Sequence, residues 1–412
     1  MNFKYAHLAD LHLGSWREDR MRELSNQAFL KALEKCRAEK VDFILFAGDI
    51  FNTSLPAIDT LKMVAGKLKE MNDAGIPIYA LAGSHDFSPS GKTMIEVLEQ
   101  AGLLVNVCKG TVNPAGQLQL HFTVDPKTRA KITGILGRKG QLDKFYYQNL
   151  FRDNLEQEPG YKIFMFHTTI AEMKPKHLEQ VEAEPVSFLP QGFNYYAGGH
   201  IHHPTKIELP EYGTLTYPGA LFPNNFAEVE KYGHGGFYLI SISDGQQEVS
   251  WVPIEVIRHL AVEIDCTRQS PEAVTQQLLP PFHSLPVQNA LITIRLAGTL
   301  GQGRMTDIDF KEVFNSLYGR GAYFVMKNTA ALSSSEFEEI KIVESDPELV
   351  EEKVIREHLR QSTLFEKEKE LGLIKSLLSG LNTAKREGEN SADFQKRIET
   401  EMESLLLPKQ SI

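Results

Sequence analysis

Five apolar, strand-length segments in the first half of the chain each lead into a polar side chain that can bind a metal ion or carry a proton. The segments, with the residues that follow them, are 3–9 before Asp10, 42–47 before Asp49, 76–82 before His85, 162–166 before His167, and 194–197 before His200. Helical patterns such as 25–39 and 57–72 separate them, as in an α/β domain. Because ligands bind beyond the carboxyl ends of strands in open α/β sheets, the five endings predict one shared site.

The composition of the 412 residues is that of an ordered globular protein, with 42% hydrophobic and 24% charged residues. A chain of this length exceeds one core, so two or three domains are expected. No segment has the pattern of a membrane span or an export signal, so neither is expected. The three cysteines, Cys36, Cys108 and Cys266, are isolated from one another, which favours a reducing cytoplasm over a disulfide framework.

The pattern of segments changes twice along the chain and predicts three domains, 1–255, 256–342 and 343–412. The middle domain offers two strand-like stretches and two helical ones, which is typical of a small α+β unit. These stretches are 260–264, 290–296, 271–279 and 307–317, and loops between them are predicted at 280–281 and 298–303.

The last segment predicts two charged helices that bury little by themselves. Asp346 can cap the first helix with Pro347 in its first turn, and residues 364–381 continue its apolar face. The second helix opens near Ser391 and carries apolar side chains every three to four residues as far as Leu405. Such a pair either docks another protein or packs back on its own chain, and the sequence favours docking.

The polar strand endings supply more ligands than one tetrahedral zinc ion uses. Asp10 and His12 are two residues apart, as are His200 and His202, so in an extended segment each pair faces one point. Asp49 follows a glycine that permits close backbone approach, and its carboxylate is able to bridge two cations. Mixed carboxylate and imidazole ligands suit divalent ions, two of which can clamp an in-line displacement at phosphorus. These residues therefore predict phosphoester hydrolysis.

The ordered motifs resemble those of the calcineurin-like metallophosphoesterases. They are Asp10-x-His12, Gly48-Asp49, Gly83-Ser84-His85-Asp86, His167 and Gly199-His200-Ile201-His202. Within that superfamily, residues 6–14, the Asp49-Ile50-Phe51 step and Tyr217-Pro218-Gly219-Ala220 resemble the SbcD-type DNA-repair nucleases. The resemblance implies an α/β fold, a two-sheet α/β/β/α metallophosphoesterase sandwich with a small α+β capping domain and a C-terminal helical pair.

The resemblance also implies a role for each matching residue. One divalent ion would be held by Asp10, His12, Asp49 and His202. The other would be held by Asp49, Ser84, His167 and His200. His85 would stand over the scissile phosphate, where Asp86 would orient it. Manganese is the implied metal, with magnesium or another divalent ion as the alternative.

Two positions depart from the family pattern. Ser84 stands where the family normally has Asn, and a hydroxyl is a shorter ligand than an amide carbonyl, so weaker binding of the second metal is expected. Asn52 stands where the repair nucleases often have a His associated with handling the DNA end. Exonuclease activity is therefore less secure than phosphodiesterase activity, and endonucleolytic cutting is the favoured alternative.

Basic residues between the third and fourth motifs offer phosphate contacts on a chain whose formal net charge is −10. A solvated loop or strand face is the favoured interpretation, and DNA contact is the alternative. With Asn52, the candidate DNA contacts are Lys127, Arg129, Lys131, Arg138 and Lys139.

The main prediction is a DNA-repair nuclease, cutting DNA ends or hairpins as an exonuclease or endonuclease. The resemblance implies that it is the catalytic subunit of a complex with a coiled-coil, SMC-like ATPase, which would bind the C-terminal helices. It also implies a homodimer, through exposed helix faces such as 57–72. The alternatives are a metallophosphodiesterase for a small nucleotide or other phosphoester, and a non-catalytic scaffold whose metal site is degraded at Ser84.

Overall fold

The computed structural model describes residues 2–88, 91–138, 143–178, 180–334, 367–383, 385, 389 and 391–406. The chain divides into two compact units, Met1–Ser334 and Ser335–Ile412.

The first unit contains seventeen strands and eight helices among its described residues. The strands are β1 (Phe3–Leu8), β2 (Phe43–Ala47), β3 (Ile78–Leu81), β4 (Val105–Asn106), β5 (Gly110–Val112), β6 (Leu118–Leu120), β7 (Thr123–Val124), β8 (Lys131–Ile135), β9 (Lys162–His167), β10 (Tyr195–Gly199), β11 (Thr205–Leu209), β12 (Gly213–Tyr217), β13 (Gly235–Ser243), β14 (Gln246–Ile254), β15 (Arg258–Asp265), β16 (Ala290–Leu300) and β17 (Phe324–Ser334). The helices are α1 (Asp19–Ala38), α2 (Ile58–Asp73), α3 (Met94–Gln100), α4 (Lys144–Gln148), α5 (Asp153–Glu156), α6 (Phe226–Tyr232), α7 (Pro271–Leu278) and α8 (Phe310–Gly319).

Two six-stranded sheets form the body of this unit. One has the order β14-β13-β1-β2-β3-β4 and the other the order β11-β12-β10-β9-β8-β7. The strands that lead into the predicted site residues are parallel within each sheet: β1, β2 and β3 in the first, and β9 and β10 in the second. Their carboxyl ends therefore lie along one edge of each sheet.

The two faces of the first sheet are buried against different partners, which explains why its strands are apolar at consecutive positions. In β2, Phe43 and Leu45 point into a core shared with the second sheet, which contributes Ile163 and Tyr195. Alternate residues of β2, such as Phe46, point into a core formed with α1 and α2. A further core covers the outer face of the second sheet. This layering confirms the predicted α/β/β/α sandwich.

The third sheet is small and wholly parallel, with the order β15-β16-β17 and a core shared with α7 and α8. The strand β17 was not among the predicted strands, because the polar run Lys327–Thr329 interrupts its alternation. The predicted loop at 298–303 is wrong in its first part, since β16 continues to Leu300 through a register shift near Arg295. Gly298 adopts a φ of 100° there, a conformation that glycine allows without strain.

The second unit contains two described helices, α9 (Lys367–Leu381) and α10 (Ser391–Leu406), which contact one another. The predicted opening at Ser391 is confirmed, whereas Asp346 and Pro347 lie outside the described residues. Within the part of the chain that the structure describes, no helix is both long enough and apolar enough to cross a membrane.

A buried histidine near the site makes the stability of the first unit depend on pH. The ring of His7 is fully buried between the sheets, where Nδ1 lies 3.0 Å from the Tyr195 hydroxyl, and burial lowers its pKa to about 3. Between pH 6.5 and that value the unfolded chain takes up a proton that the folded chain does not, so stability rises with pH in this window.

We expect His7 to contribute a loss of about 1.4 kcal/mol of unfolding free energy for each pH unit below 6.5. His7→Gln keeps a polar side chain beside Tyr195 but does not titrate, so its stability should fall less steeply between pH 7 and pH 5. Urea unfolding at both pH values measures the two slopes, and equal slopes would refute this assignment.

Candidate metal centre

The predicted ligands meet where the carboxyl ends of the two sheets face each other. Bonds across the sandwich show the meeting directly: the backbone N–H of His200 donates to Asp10, and the His167 ring lies against Asp49. In chain order, Asp10 and His12 follow β1, Asp49 follows β2, Ser84 and His85 follow β3, His167 ends β9, and His200 and His202 follow β10.

The backbone at this edge is strained in a way that the sequence does not reveal. Four of the ten described non-glycine residues with positive φ are predicted ligands, namely Asp10 (51°), His12 (41°), Asp49 (51°) and His200 (93°). Each such conformation costs on the order of 1–3 kcal/mol and persists only where the surroundings enforce it. Their concentration at one edge marks that edge as a functional site.

Glycines beside the ligands allow the strands to approach closely. A Cβ on Gly48 would lie 2.2 Å from Nδ1 of His167, and a Cβ on Gly199 would lie 2.0 Å from the carbonyl oxygen of Ala47. That same carbonyl accepts a hydrogen bond from Nδ1 of His167 at 2.9 Å. Because the carbonyl can only accept, Nδ1 carries a hydrogen, and Nε2 is the ring nitrogen that faces the site.

The first ligand group consists of Asp10, His12 and His202, whose ligand atoms lie within 4.8 Å of one another. Nε2 of His12 is 3.1 Å from Nε2 of His202, and the latter is 3.9 Å from Oδ1 of Asp10. A ligand atom lies about 2.0–2.2 Å from its metal ion, so these spacings are those of ligands around one cation.

One carboxylate oxygen is shared between this group and the second. Oδ2 of Asp49 lies 3.7 Å from Nε2 of His12 and 3.2 Å from Nε2 of His167, and Oγ of Ser84 is 3.5 Å from it. Asp49 thus stands between the two sets of ligands, as a bridging residue must. The ring centroid of His200 is 5.3 Å from that of His167, which places His200 on the second side.

The electrostatics of the site suit bound cations. Burial lowers the pKa of His12 to about 3 and that of His200 to about 4, so both imidazoles are neutral at neutral pH, the form in which a histidine can bind a metal ion. Burial also lowers the pKa of His167, but the Asp49 carboxylate outweighs it and raises this pKa to about 10. Nε2 of His167 has no hydrogen-bond partner among the described residues. The site therefore attracts positive charge at this nitrogen, and the donor set fits divalent metal ions.

The ring of His85 faces the first ligand group, and its centroid is 4.8 Å from that of His12. One nitrogen of the His85 ring also lies within 4.8 Å of a ligand atom of His12 and of Asp49. The family resemblance implies that Asp86 orients His85. In the structure, the ring of His85 is instead held by the carbonyl oxygen of Asn52, which lies 2.9 Å from its Nδ1. Asp86 instead accepts hydrogen bonds from the backbone N–H groups of Gly83 and Phe51. It fixes the loop that carries Ser84 and His85.

The basic residues predicted to contact DNA do not all lie together in the fold. Lys127 pairs with Asp42 at 2.6 Å, just before the start of β2, and Lys131 is the first residue of β8. Both lie at the amino ends of strands, on the edge opposite the ligands, and Arg129 lies in the turn between them. Only Arg138, after the carboxyl end of β8, reaches a groove of about 450 Å³ that Ser84 and His200 also line. Lys139 lies outside the described residues.

Glu228 is a site residue that the sequence analysis missed. Its carboxylate accepts a hydrogen bond from Nδ1 of the predicted ligand His202 at 2.9 Å, and one from the backbone N–H of Asn224 at 2.7 Å. The spacing Asn225-x-x-Glu228 is a helix-start signal and α6 does begin there, capped by Asn225. The signal predicts a helix but not that its first turn faces His202.

The class of protein is indicated by two features: the two stacked sheets, and the site in which the carboxylate of Asp49 lies between two groups of candidate metal ligands. Residues 3–204 match the calcineurin-like phosphoesterase family, which identifies this part of the chain as a calcineurin-like phosphoesterase domain. The resemblance inferred from the motifs is thereby confirmed.

Among known proteins, the chain is similar to the DNA double-strand break repair protein Mre11 of several archaea, a homologue of the SbcD-type nucleases. It is 28% identical to that of Methanopyrus kandleri over 272 residues, covering 63% of this chain and 58% of the relative. It is 29% identical to that of Archaeoglobus fulgidus over 239 residues, covering 55% and 52%. For Methanocaldococcus jannaschii the identity is 27% over 293 residues, covering 66% and 72%. The chain thus spans a little over half the length of the first two relatives.

The shorter side chain at position 84 leads to a prediction about metal binding. Ser84 is largely buried, its Oγ lies 3.5 Å from Oδ2 of Asp49, and its side chain lines a groove of about 450 Å³. We expect Ser84→Asn to tighten binding of the more weakly held ion about tenfold, equal to about 1.4 kcal/mol, because an amide carbonyl reaches farther than a hydroxyl. Calorimetric titration with Mn²⁺ measures this change, and unchanged or weaker binding would contradict it.

Proposed function

We propose that this protein is a two-metal phosphodiesterase that hydrolyses DNA. The observation that supports this most directly is the shared oxygen of Asp49, which lies within 3.7 Å of a ligand nitrogen or oxygen from three other elements. In this proposal the two ions are divalent, with manganese preferred. One is held by Asp10, His12, Asp49 and His202, and the other by Asp49, Ser84, His167 and His200.

The ions would supply Lewis-acid activation and charge neutralisation for an in-line displacement at phosphorus. The protein's own residues do the rest. With Nδ1–H of His85 donating to the Asn52 carbonyl, the other ring nitrogen faces the ligands and is available to the leaving oxygen or the phosphate. Asp86 holds the loop of His85 through two backbone bonds and so keeps the ring at a fixed distance from Asp49.

DNA is the proposed substrate because the similar proteins are named for DNA double-strand break repair. Arg138 offers the phosphate contact: it lines the groove beside His200, and its guanidinium stacks 5.0 Å above the ring of Phe87. The candidate DNA contacts on the opposite edge of the sheets do not reach this groove. Of the basic residues predicted to contact DNA, the proposal therefore keeps one described residue, Arg138.

The remaining parts of the proposal concern assembly. Residues 256–342 are proposed to cap the DNA-binding face, and residues 343–412 to dock a coiled-coil, SMC-like ATPase. A homodimer is supported by Leu55, which lies just before α2, and Ile58, its first residue, whose exposed fractions of 78% and 83% are high for large apolar side chains.

The test of the DNA proposal uses end-labelled duplex, single-stranded and hairpin DNA with Mn²⁺. Metal-dependent cutting is the expected result, and the product ladder shows whether cutting starts at ends or internally. Arg138→Glu should weaken DNA binding and flatten its salt dependence. Lys127→Glu, on the opposite edge, is the matched control and should change neither. Equal effects of the two substitutions on DNA binding would refute the assignment of Arg138 as the phosphate contact.

One observation favours a small phosphodiester as a second candidate substrate. The groove beside Ser84 is also lined by Asp143, Glu182 and Glu184, whose charges oppose a long polyanion. If all three DNAs stay intact while a small nucleotide diester is hydrolysed, this second candidate replaces the first. If neither is hydrolysed and no metal binds, the protein is the scaffold considered above.

A further inference from the structure

The helix α6 lies between the proposed metal site and the small three-stranded sheet, and it makes polar contacts on both sides. Toward the site, Glu228 bonds the ring of His202 at 2.9 Å, and the hydroxyl of Tyr232 lies 3.0 Å from Nδ1 of His203. Two consecutive histidines are therefore held by two side chains of one short helix.

On its other side, α6 is held by the central strand of the small sheet. Nε of Arg295 in β16 donates to both carboxylate oxygens of Glu230 at 2.8 Å, and a second guanidinium nitrogen bonds the same carboxylate. The guanidinium also lies 5.6 Å from the ring centroid of Phe226. Both partners are about three-quarters buried, so the pair is shielded from solvent more than a surface ion pair is.

The end of the helix abuts the same sheet. Gly233 terminates α6 with a φ of 70°, and a Cβ there would lie 3.4 Å from Nδ1 of His259 in β15. Seven residues make a helix too short to be stable by itself, so its position comes from these contacts together with Val229, which is buried in the main core. The Arg295–Glu230 contact is directional as well as attractive, because it is a charged pair with more than one hydrogen bond.

We infer that Arg295 and Glu228 are positioning residues for the proposed metal site: Arg295 fixes α6 from the small sheet, and Glu228 of that helix fixes the ring of His202. Glu228 selects the ring form in which Nδ1 carries the hydrogen and Nε2 is the ligand. Metal affinity thus depends on a residue of the small sheet that does not touch the site. This inference rests on the proposed metal centre.

Titration of the full-length protein with Mn²⁺ in a calorimeter tests the inference without reference to activity. Glu228→Ala should weaken binding of one ion about 10- to 100-fold, the usual effect of losing a residue that orients a ligand. Glu228→Gln, which can still accept the hydrogen bond, should restore most of the affinity. Arg295→Ala should weaken the same binding step about three- to tenfold.

The decisive comparison is between single and double variants. If Arg295 acts through α6 and Glu228, then Arg295→Ala should have no further effect in the Glu228→Ala background. The exchanged pair Glu230→Arg with Arg295→Glu should bind Mn²⁺ better than Arg295→Ala alone, and it keeps the test informative if that single variant folds poorly. Arg320→Ala, which removes bonds to the carbonyls of Phe282 and Leu285 within the small domain, is the control and should leave binding unchanged.

Three results would overturn the inference: unchanged binding in Arg295→Ala, an equal loss in Arg320→Ala, or additive losses in the double variant. Absence of Mn²⁺ binding by the parent protein is a different result, because it refutes the proposed metal centre and this inference with it.

Discussion

Asp49→Asn will lower the rate of phosphodiester hydrolysis by about a thousandfold, equal to about 4 kcal/mol of transition-state stabilisation. The reason is the position of Oδ2, which both ligand groups approach. An amide at that position lacks the charge needed to bridge two cations. The change is nearly isosteric, and an amide oxygen can still accept the 2.7 Å bond from the backbone N–H of His85, so the loop should keep its shape.

The same substitution at the other end of the same strand provides the control. Asp42 precedes β2, whereas Asp49 follows it, and Asp42 accepts the backbone N–H of Lys4 and pairs with Lys127. Asp42→Asn should leave the rate unchanged and alter stability by less than about 1 kcal/mol, because Lys127 is exposed. Rates of the proposed Mn²⁺-dependent DNA cutting measure both variants, and an Asp49→Asn rate within tenfold of the parent would rule out the bridging role.

His85→Ala will lower the rate by about 10²- to 10⁴-fold while leaving Mn²⁺ binding within a few-fold of the parent. The ring faces His12, and its Nδ1 is committed to the Asn52 carbonyl, so it is held where a proton or a charged phosphate can meet the other nitrogen. Loss of rate without loss of metal distinguishes a group that acts on the substrate from a metal ligand.

His121→Ala is the matched control for this variant. His121 is exposed and contacts Thr111 across the β5–β6 hairpin, so its removal should change neither rate nor Mn²⁺ binding. A His85→Ala variant that loses metal as well as rate would show that His85 is itself a ligand, contrary to the proposal.

The sequence predicts the strands that carry the site because their burial requires it. Both faces of β2 are covered, so its residues are apolar throughout, and the first ligand-type residue after it marks where the strand has ended. The sequence also predicts α2 to within one residue at each end, since its apolar side chains recur at helical spacing. It does not predict β17, because that strand is polar in the middle and owes its place to pairing with β16.

The same contrast holds at the site. Residue type and order along the chain were enough to propose the ligands, since Asp, His and Ser at strand ends are read directly from the sequence. The sequence does not predict which neighbour holds each of these side chains. Asn52, Asp86 and Glu228 make their contacts with residues distant in the chain or through backbone groups. Likewise, Lys127 and Arg138 are close in sequence but lie at opposite ends of strands.

The sequence by itself determined an α/β domain and the set of metal-ligating residue types at its strand ends, because burial period and chemical type are local properties. The two-sheet sandwich was implied by the resemblance of its motifs to a known family. Only the tertiary structure decided that one oxygen of Asp49 is shared by two ligand groups, that Asn52 rather than Asp86 holds His85, and that α6 connects His202 to Arg295. These are contacts between residues distant in the chain. Their geometry depends on how sheets and helices pack, which no local pattern encodes.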